Sequence, residues 1–366
     1  MANLNDDIRN AQTLNTDFYT NSILFEQSKD LIFTKTWQFG IEMTELQLPD
    51  KVVPFNILEG FLNEPILFTR DSSDKISVLS NVCTHRGNIL VSYPQNGKKI
   101  RCGYHGRTFS LDGKMLFMPE FIEALNFPSK TDNLPNVDFR IWKDKFSFVS
   151  IKPDFDFDEV LNIMNKKIGF LPINEFLYSP ERSKDYLVNA HWALYCENYL
   201  EGFHIPFVHP ELNSSLEYGE YKTVIYDHCN LQIGIGNSGD FCFELPTDHE
   251  DYGKMIAAYY FWVFPNMMFN FYPWGLSVNI VKPINPKLTK VSFLTYIYDE
   301  SKLDTGAGAL LDKVERQDEA VVESVQRGVS SRLYKYGRYS PKMETGVHHF
   351  KTLIEKFMGE LSQKII

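Results

Sequence analysis

Cysteine and histidine side chains occur as two closely spaced pairs in the first third of the chain and could together bind a metal. Cys83 and His85 form a Cys-x-His pair, and after sixteen intervening residues Cys102 and His105 form a Cys-x-x-His pair. Two thiolates and two imidazoles make a donor set that suits zinc or iron. A structural zinc site and two unrelated Cys/His pairs are both compatible with the donor types alone.

The residues around these pairs favour loops that fold over an inorganic core. Gly87, Gly103 and Gly106 flank the candidate ligands, and glycine permits tight loop conformations. Asp112-Gly113 is typical of a hairpin turn just beyond the second pair. Both pairs lie in predicted loops between strands, which differs from the strand–helix pattern of a zinc finger.

A second candidate site contains His204 and His209, which are five residues apart with a proline between them. A helix predicted over about 190–204 would end there, and the bend would bring both imidazoles toward one point. Two histidines that cap carbonyl groups at a helix end are the alternative. Glu201 precedes His204 by three residues and is expected on the same helical face as Glu197.

Helical periodicity supplies a third ligand for this second site. A helix is predicted over about 306–327, and Asp318 lies near the centre of its apolar stripe, which contains Leu311, Val314, Val321, Val322 and Val325. A carboxylate at that position is costly unless it is paired or binds a metal, and a buried arginine is the alternative partner. The other acidic residues of the helix are expected outside the stripe or at its edge, namely Asp312, Glu315, Glu319 and Glu323. Together, His204, His209 and Asp318 would form a two-histidine, one-carboxylate triad that leaves open positions on Fe(II).

The elements that must position these residues change character along the chain. Residues 1–38 are predicted to be a helical segment, capped at Thr16-Asp17, that packs on the C-terminal domain. Residues 39–152 predict a small all-β domain of short strands, and 152–160 has the composition of a linker. Residues 153–366 predict an α+β domain with an antiparallel sheet flanked by helices. Its strands are predicted at about 221–245, 256–272, 276–283 and 288–298, and its last helices at about 306–327 and 341–361.

Composition excludes several classes of function. The 366 residues are 43% hydrophobic and 23% charged, as in globular proteins, and 37 basic against 47 acidic residues give a net charge of −10. Such a charge argues against binding to nucleic acid or to anionic lipid. Five cysteines do not suggest a disulfide framework. The polar N-terminus lacks the features of a signal peptide, and the aromatic stretch 257–276 is interrupted by proline, asparagine and glycine, so we expect a cytoplasmic protein without a membrane span.

The two Cys/His loops, Cys83-Thr84-His85-Arg86-Gly87 and Cys102-Gly103-Tyr104-His105-Gly106, resemble the cluster-binding loops of Rieske proteins. In those proteins two cysteines hold one iron of a [2Fe–2S] cluster and two histidines hold the other. The resemblance therefore implies that this cluster is held by Cys83, His85, Cys102 and His105. A Rieske ferredoxin would end near residue 110–120, so the rest of the chain must determine the class.

From about residue 37 to its end, the chain resembles the terminal oxygenase (α) subunits of Rieske non-haem iron oxygenases. The resemblance rests on Asn198-Tyr199-Leu200-Glu201-Gly202-Phe203-His204, on His209 and on Gln317-Asp318. The local sequence is similar both to ring-hydroxylating dioxygenase α subunits and to the choline, betaine and carnitine monooxygenase branch. The resemblance implies one mononuclear Fe(II) held by His204, His209 and Asp318. It also implies catalytic-site roles for Asn198 and for Glu201, which would carry electrons between His105 of one subunit and His204 of the next, although many family members have aspartate at the position of Glu201.

The implied activity is that of the terminal component of a multicomponent oxygenase. It would use O2 and electrons from a separate NAD(P)H reductase containing flavin and iron–sulfur groups, with or without a ferredoxin, to mono- or dioxygenate a small organic substrate. The family resemblance also implies a homotrimer or a multiple of one. The aromatic residues near the triad are compatible with an aromatic substrate or with a quaternary ammonium compound in an aromatic cage. The alternative is a Rieske-type electron-transfer protein with a non-catalytic second domain.

Overall fold

The computed structural model describes residues 7–210, 221–237, 239, 241–305, 308 and 311–359. Its contacts divide the chain into two compact units. The smaller unit is Thr34–Phe155, and the larger unit combines Met1–Phe33 with Asp156–Ile366. The boundaries predicted after residues 38 and 152 stay a prediction, while the mixed fold class is confirmed.

The smaller unit, all of whose residues are described, consists of ten short strands in three antiparallel sheets. The strands are β1 Gln38–Glu42, β2 Lys51–Ile57, β3 Glu64–Arg70, β4 Ile76–Ser80, β5 Gln95–Asn96, β6 Lys99–Arg101, β7 Thr108–Ser110, β8 Met115–Phe117, β9 Asp138–Trp142 and β10 Phe146–Ser150. They pair in the orders β1-β10-β9, β4-β3-β2-β5 and β6-β7-β8. The buried core beneath β3, β4 and β7 includes Leu67, Leu79 and Phe109 together with Cys83 and Cys102. The candidate cysteines are therefore part of the core of this unit.

The larger unit contains, within its described residues, one eight-stranded antiparallel sheet. Its strands are β11 Leu177–Tyr178, β12 Lys184–Val188, β13 Lys222–Ile225, β14 Cys229–Ile235, β15 Ile256–Val263, β16 Met267–Tyr272, β17 Gly275–Asn285 and β18 Leu288–Ile297. The order is β11-β18-β17-β16-β15-β14-β13, and β12 also pairs with β18. Every residue of β16 is buried, which explains an aromatic sequence without polar alternation. The strand predicted over 221–245 is in fact two strands, β13 and β14.

Helices pack around this sheet and carry the second candidate site. They are α1 Thr16–Thr20, α2 Ser22–Ser28, α3 Phe157–Ile168, α4 Trp192–Tyr199, α5 Ile205–Val208, α6 Leu311–Val329 and α7 Thr345–Met358. Asn15, not Thr16-Asp17, caps α1, since its side chain accepts from the Asp17 N–H. Asp156 caps α3, so the predicted linker 152–160 includes the first turn of a helix. No helix among the described residues has the length and apolar character needed to cross a membrane.

The helix predicted over 190–204 is shorter than expected. α4 begins after His191, whose Nδ1 accepts from the Ala193 N–H at 3.3 Å. The Asn189 side chain does not cap this helix, since it donates to Glu323 Oε1. The helix ends at Tyr199, and a bend separates it from the single turn of α5. The expectation that Glu197 and Glu201 share one helical face is therefore wrong.

Glu197 instead joins α4 to the N-terminal helices. The Tyr19 hydroxyl donates to Glu197 Oε1 at 2.7 Å, and Tyr19 is itself buried. Burial raises the pKa of Glu197 to about 8. The native protein therefore holds a proton on this carboxyl group at a pH where an unfolded glutamate has lost it.

We predict that Glu197→Gln will reduce the loss of stability between pH 5 and pH 8. The pKa of Glu197 is higher in the folded protein than in the unfolded chain, so its protonation stabilises the native state. This contribution is complete below about pH 4.5, decreases as the pH rises, and is lost above about pH 8. The uncharged glutamine removes this dependence, which we expect to be about 3 kcal/mol over this pH interval. Thermal melts at both pH values measure it, with Glu26→Gln on the exposed face of α2 as the control. Equal pH slopes for wild type and Glu197→Gln would contradict the assignment.

Candidate metal centres

The two Cys/His loops of the smaller unit have the same backbone hydrogen-bond pattern. In each, the cysteine N–H donates to the carbonyl five residues later, at 2.9 Å for Cys83 and 2.8 Å for Cys102. The cysteine carbonyl accepts from the N–H four residues later, at 3.0 and 3.1 Å. Those N–H groups belong to Gly87 and Gly106, whose φ angles are +69° and +75°. A side chain at either glycine would strain the turn that closes the loop.

The four candidate ligands approach as two like pairs. The thiols of Cys83 and Cys102 are adjacent and each residue is 2% exposed, while the rings of His85 and His105 have centroids 4.7 Å apart. His105 Nδ1 is buried and has no protein partner. Because a buried polar atom needs a partner, this donor set fits an inorganic group better than a closed protein core. A pair of cysteine thiols and a separate pair of histidine imidazoles form the ligand set of a Rieske cluster, in which the cysteines hold one iron and the histidines hold the other.

Arg107 fastens the second loop to the first, a role that the sequence did not reveal. The residue is 2% exposed, and its guanidinium donates to Thr84 Oγ1 at 2.8 Å and to Asp132 Oδ1 at 3.2 Å. The guanidinium also lies over the rings of Phe121 and Phe127, at 5.8 and 5.4 Å. Since Thr84 stands between Cys83 and His85 in the sequence, these contacts fix the spacing of the two loops.

In the larger unit, His204, His209 and Asp318 converge as predicted from their positions in the sequence. The two histidines flank the single turn of α5, and the carboxylate comes from α6. Asp318 Oδ1 lies 3.0 Å from His209 Nε2 and 3.5 Å from His204 Nε2. One ligand atom from each residue falls within 4.8 Å of the others. In the described part of the chain, Asp318 pairs with these imidazoles and not with the arginine that was the alternative.

The second nitrogen of each imidazole is held by a neighbouring side chain. His204 Nδ1 lies 2.7 Å from Glu201 Oε1, and Glu201 Oε2 accepts from the His204 backbone N–H at 3.0 Å. His209 Nδ1 lies 2.8 Å from Gln317 Oε1. Anchoring Nδ1 leaves both Nε2 atoms directed at the Asp318 carboxylate, the arrangement that holds metal-binding histidines in position. The donor set fits Fe(II) with open coordination positions.

The buried face of α6 differs from the predicted apolar stripe. Its buried residues are Glu315, Val322, Gln326 and Val329, whereas Val325 is 42% exposed. The true stripe is rotated by about 60° from the predicted one, which places Asp318 at its edge and Glu315 near its centre. The expectation that Glu315 lies outside the stripe is wrong, because the face that α6 buries is partly polar.

The polar residues of this face bind α4 and the segment before it. Gln326 Oε1 accepts from the His191 N–H at 2.7 Å, and Glu323 Oε1 accepts from the backbone and side-chain N–H groups of Asn189 at 2.9 and 2.8 Å. The Tyr195 hydroxyl donates to Glu315 Oε2 at 2.6 Å. Burial raises the pKa of Glu315 to about 8 and also raises that of Tyr195 well above its usual value.

A cavity of about 120 Å³ opens beside the triad. Asn198 and Glu201 line it together with His204, His209 and Asp318, so the structure brings these predicted residues to one place. Its aromatic lining residues are Tyr195, Tyr199, Tyr221, Tyr260, Tyr272 and Phe293. Two other aromatic residues close to the triad in sequence do not line the cavity. Trp192 is fully buried in the core, and Phe207 is 80% exposed.

Both units match known families. Residues 36–128 match the Rieske [2Fe-2S] domain, and residues 177–360 match the ring hydroxylating alpha subunit (catalytic domain). Among proteins of known activity, the chain is 27% identical over 366 residues to the chloroplastic choline monooxygenase of Spinacia oleracea, covering 94% of this chain and 78% of the relative. It is also 27% identical over 361 residues to the carnitine monooxygenase oxygenase subunit of Escherichia coli (strain K12), covering 94% and 93%.

The fold matches that of a solved quaternary ammonium Rieske monooxygenase with a TM-score of 0.74 and 25% identity over 97% of both chains. That structure concerns carnitine oxidation by gut microbiota and inter-subunit electron transfer. The match spans both units of the present chain, so the Rieske domain and the catalytic domain occur together here as they do there.

We predict that Asp318→Ala will lose one iron per chain and keep the cluster. Removing the carboxylate leaves two imidazoles, which are too few for stable Fe(II) binding, while the Cys/His loops lie in the other unit. Iron and acid-labile sulfide analysis of anaerobically purified protein should fall from about three irons and two sulfides to about two of each. Glu319→Ala, on the same helix, is the control and should retain all three irons. Full iron content in Asp318→Ala would exclude Asp318 as a ligand.

Proposed function

The chain belongs to the ring-hydroxylating alpha-subunit family, and from that membership we propose that it is the terminal oxygenase of a multicomponent system that hydroxylates a quaternary ammonium compound. The observation that carries the proposal is the convergence of His204, His209 and Asp318 on the wall of a cavity, in a chain that also has a Rieske [2Fe–2S] domain. A carrier with a non-catalytic second domain would have no need of such a triad.

The substrate class is supported by two independent features. The curated relatives described above act on choline and on carnitine, both of which their names identify. Five tyrosines are among the residues that line the cavity, and the face of a tyrosine ring attracts a tetraalkylammonium group through cation–π interactions. A neutral aromatic substrate would gain apolar contact with these rings but would leave Glu315 Oε1, which is buried in the lining, without a partner.

The roles of the protein groups follow from their positions. When bound, the mononuclear Fe(II) offers open positions at which O2 and substrate meet, and the cluster delivers electrons one at a time. His204, His209 and Asp318 would hold this metal, and Gln317 keeps the His209 ring in place. The apolar side chains Ile205, Leu311 and Val314 exclude water from the same space.

We propose that Glu201 connects the two metal sites of an assembly of several chains. Its Oε1 holds His204 Nδ1, and we propose that in a homotrimer, or a multiple of one, it also contacts His105 of the neighbouring subunit. The two units of one chain would then serve different electron paths. Electrons would come from a separate reductase containing flavin and iron–sulfur groups, with or without a ferredoxin.

The cellular setting is proposed on the chemistry of the cysteines. None of the five cysteines forms a disulfide, and Cys83 and Cys102 must be reduced to bind a cluster. A cytoplasmic location satisfies this requirement. The net charge of −10 disfavours nucleic acid as a partner.

We expect coupled turnover with quaternary ammonium compounds. Purified protein with a surrogate Rieske-oxygenase reductase should consume NADH and O2 with choline, carnitine or glycine betaine, and a hydroxylated or demethylated product should form in step. Benzoate and naphthalene should give at most slow consumption without product. Stoichiometric product from an aromatic compound and none from the ammonium panel would overturn the proposed substrate class.

We predict that Glu201→Gln will keep both metal sites loaded and lower coupled turnover by about a hundredfold or more. Glutamine keeps the shape but offers one acceptor oxygen where His204 uses two, so the ring orientation and the link between sites are lost. Iron and sulfide analysis checks the loading, and chemical reduction of the cluster followed by single-turnover product analysis checks the transfer. The control is Glu197→Gln, four residues earlier on α4, which should turn over normally. Normal turnover in Glu201→Gln would remove Glu201 from the electron path.

A further inference from the structure

Glu315 is a buried acidic residue in the cavity lining that the metal sites do not use. It lies on α6, one turn before Asp318, and is 4% exposed. Its Oε2 accepts the Tyr195 hydroxyl hydrogen bond at 2.6 Å, whereas its Oε1 is buried and has no protein partner. A buried carboxyl oxygen without a hydrogen-bond or charged partner is costly, so Oε1 calls for a further partner.

The described residues of the cavity lining supply no permanently charged basic side chain as a counter-charge. No lysine or arginine belongs to the described residues that line the cavity. Residues 211–220, 306–307 and 309–310, which adjoin the lining residues Tyr221 and Leu311 in sequence and are outside the described residues, contain no lysine or arginine. Arg316, next to Glu315 in the chain, is directed outward and pairs with Glu319 at 3.0 Å.

The other two carboxylates of the lining are already engaged. Glu201 is bound to His204, and Asp318 lies between the two imidazoles. Glu315 contacts only a neutral hydroxyl, and burial holds its pKa at about 8. A positive charge inside the cavity would favour its ionised form, because opposite charges a few ångströms apart attract strongly in a site with little water.

We propose that Glu315 is the counter-charge for the cationic head group of the substrate and that the cavity favours a quaternary ammonium alcohol without a carboxylate over a zwitterionic betaine. The inference rests on the proposed function and narrows its substrate class. A tetraalkylammonium group has no hydrogen to donate, so it needs only a nearby negative charge and apolar or aromatic contact, which Glu315 and the tyrosines provide together. A substrate carboxylate would enter a lining whose described residues include no lysine or arginine.

The test compares ligands that differ in charge and not in shape. Choline and 3,3-dimethylbutan-1-ol differ by one nitrogen-for-carbon replacement, and glycine betaine adds a carboxylate. Calorimetric titration of the metal-loaded protein under anaerobic conditions measures each dissociation constant without turnover. In the wild type, choline should bind about ten- to a hundredfold more tightly than the neutral alcohol and more tightly than glycine betaine.

Variants on α6 assign this preference to one residue. Glu315→Gln should weaken choline binding by about ten- to a hundredfold and leave the neutral alcohol unchanged, because it removes charge without changing volume. Glu315→Asp keeps the charge and should keep the preference. Glu319→Gln removes the same charge four residues away, outside the cavity, and should change neither constant by more than about twofold.

The outcomes separate this inference from the proposed function. If choline binds and supports turnover but Glu315→Gln keeps the charge preference, the counter-charge role is wrong and the proposed function stands. Equal affinity of the wild type for choline and for its neutral analogue also overturns the role without the need for a variant. Binding of glycine betaine as tight as that of choline overturns the discrimination against carboxylates. If no ammonium compound binds but an aromatic acid does, both the proposed substrate class and this inference fall.

Discussion

The docking of α6 against α4 and α5 through buried polar side chains is the constraint on which the catalytic unit depends. The contacts join Gln326 to His191, Glu323 to Asn189, Glu315 to Tyr195, and Gln317 and Asp318 to His209. Hydrogen bonds are directional, so one rotation and one axial position of the helix satisfy all of them together. A slip by one residue would turn the face by about 100° and bury several groups without partners. The geometry of the triad is therefore a consequence of how this helix docks.

Carboxyl groups of one chemical type serve different ends in this unit because their neighbours differ. Glu197 and Glu315 each contact a tyrosine hydroxyl, which satisfies one oxygen and brings no charge, so burial raises the pKa of both. Glu201 and Asp318 contact imidazoles, which orient them and are themselves oriented in return. The environment of Glu197 and Glu315 favours a protonated carboxyl group, which can lose its proton when a cation binds nearby. The environment of Glu201 and Asp318 suits metal binding and electron transfer.

How far the sequence predicts the structure depends on whether the determining interactions are local. The two Cys/His loops lie within residues 83–106, where the sequence shows directly the ligand spacing and the glycines. The loop geometry agrees with the turns predicted from those glycines. Asp318 could be found from helical periodicity, yet the centre of the stripe was misplaced because that method counts apolar residues and α6 buries Glu315 and Gln326. The start of α4 at His191 involves a contact between that residue and Gln326 on α6, which could not be predicted from the local sequence. Strand order and register likewise arise from pairing between distant segments.

The two candidate metal centres differ in whether their ligands come from neighbouring or from distant parts of the sequence. The four cluster ligands lie in two loops, each closed by its own backbone hydrogen bonds. A buried arginine, Arg107, joins the second loop to the first. The triad combines two histidines beside a single helical turn with a carboxylate more than a hundred residues later in the sequence, so its geometry changes whenever α6 shifts. Glu315 and Asp318 lie one turn apart on that helix, with the cavity in front of both. One face of this helix therefore presents to the cavity both the carboxylate of the triad and a buried acidic side chain that the triad does not use.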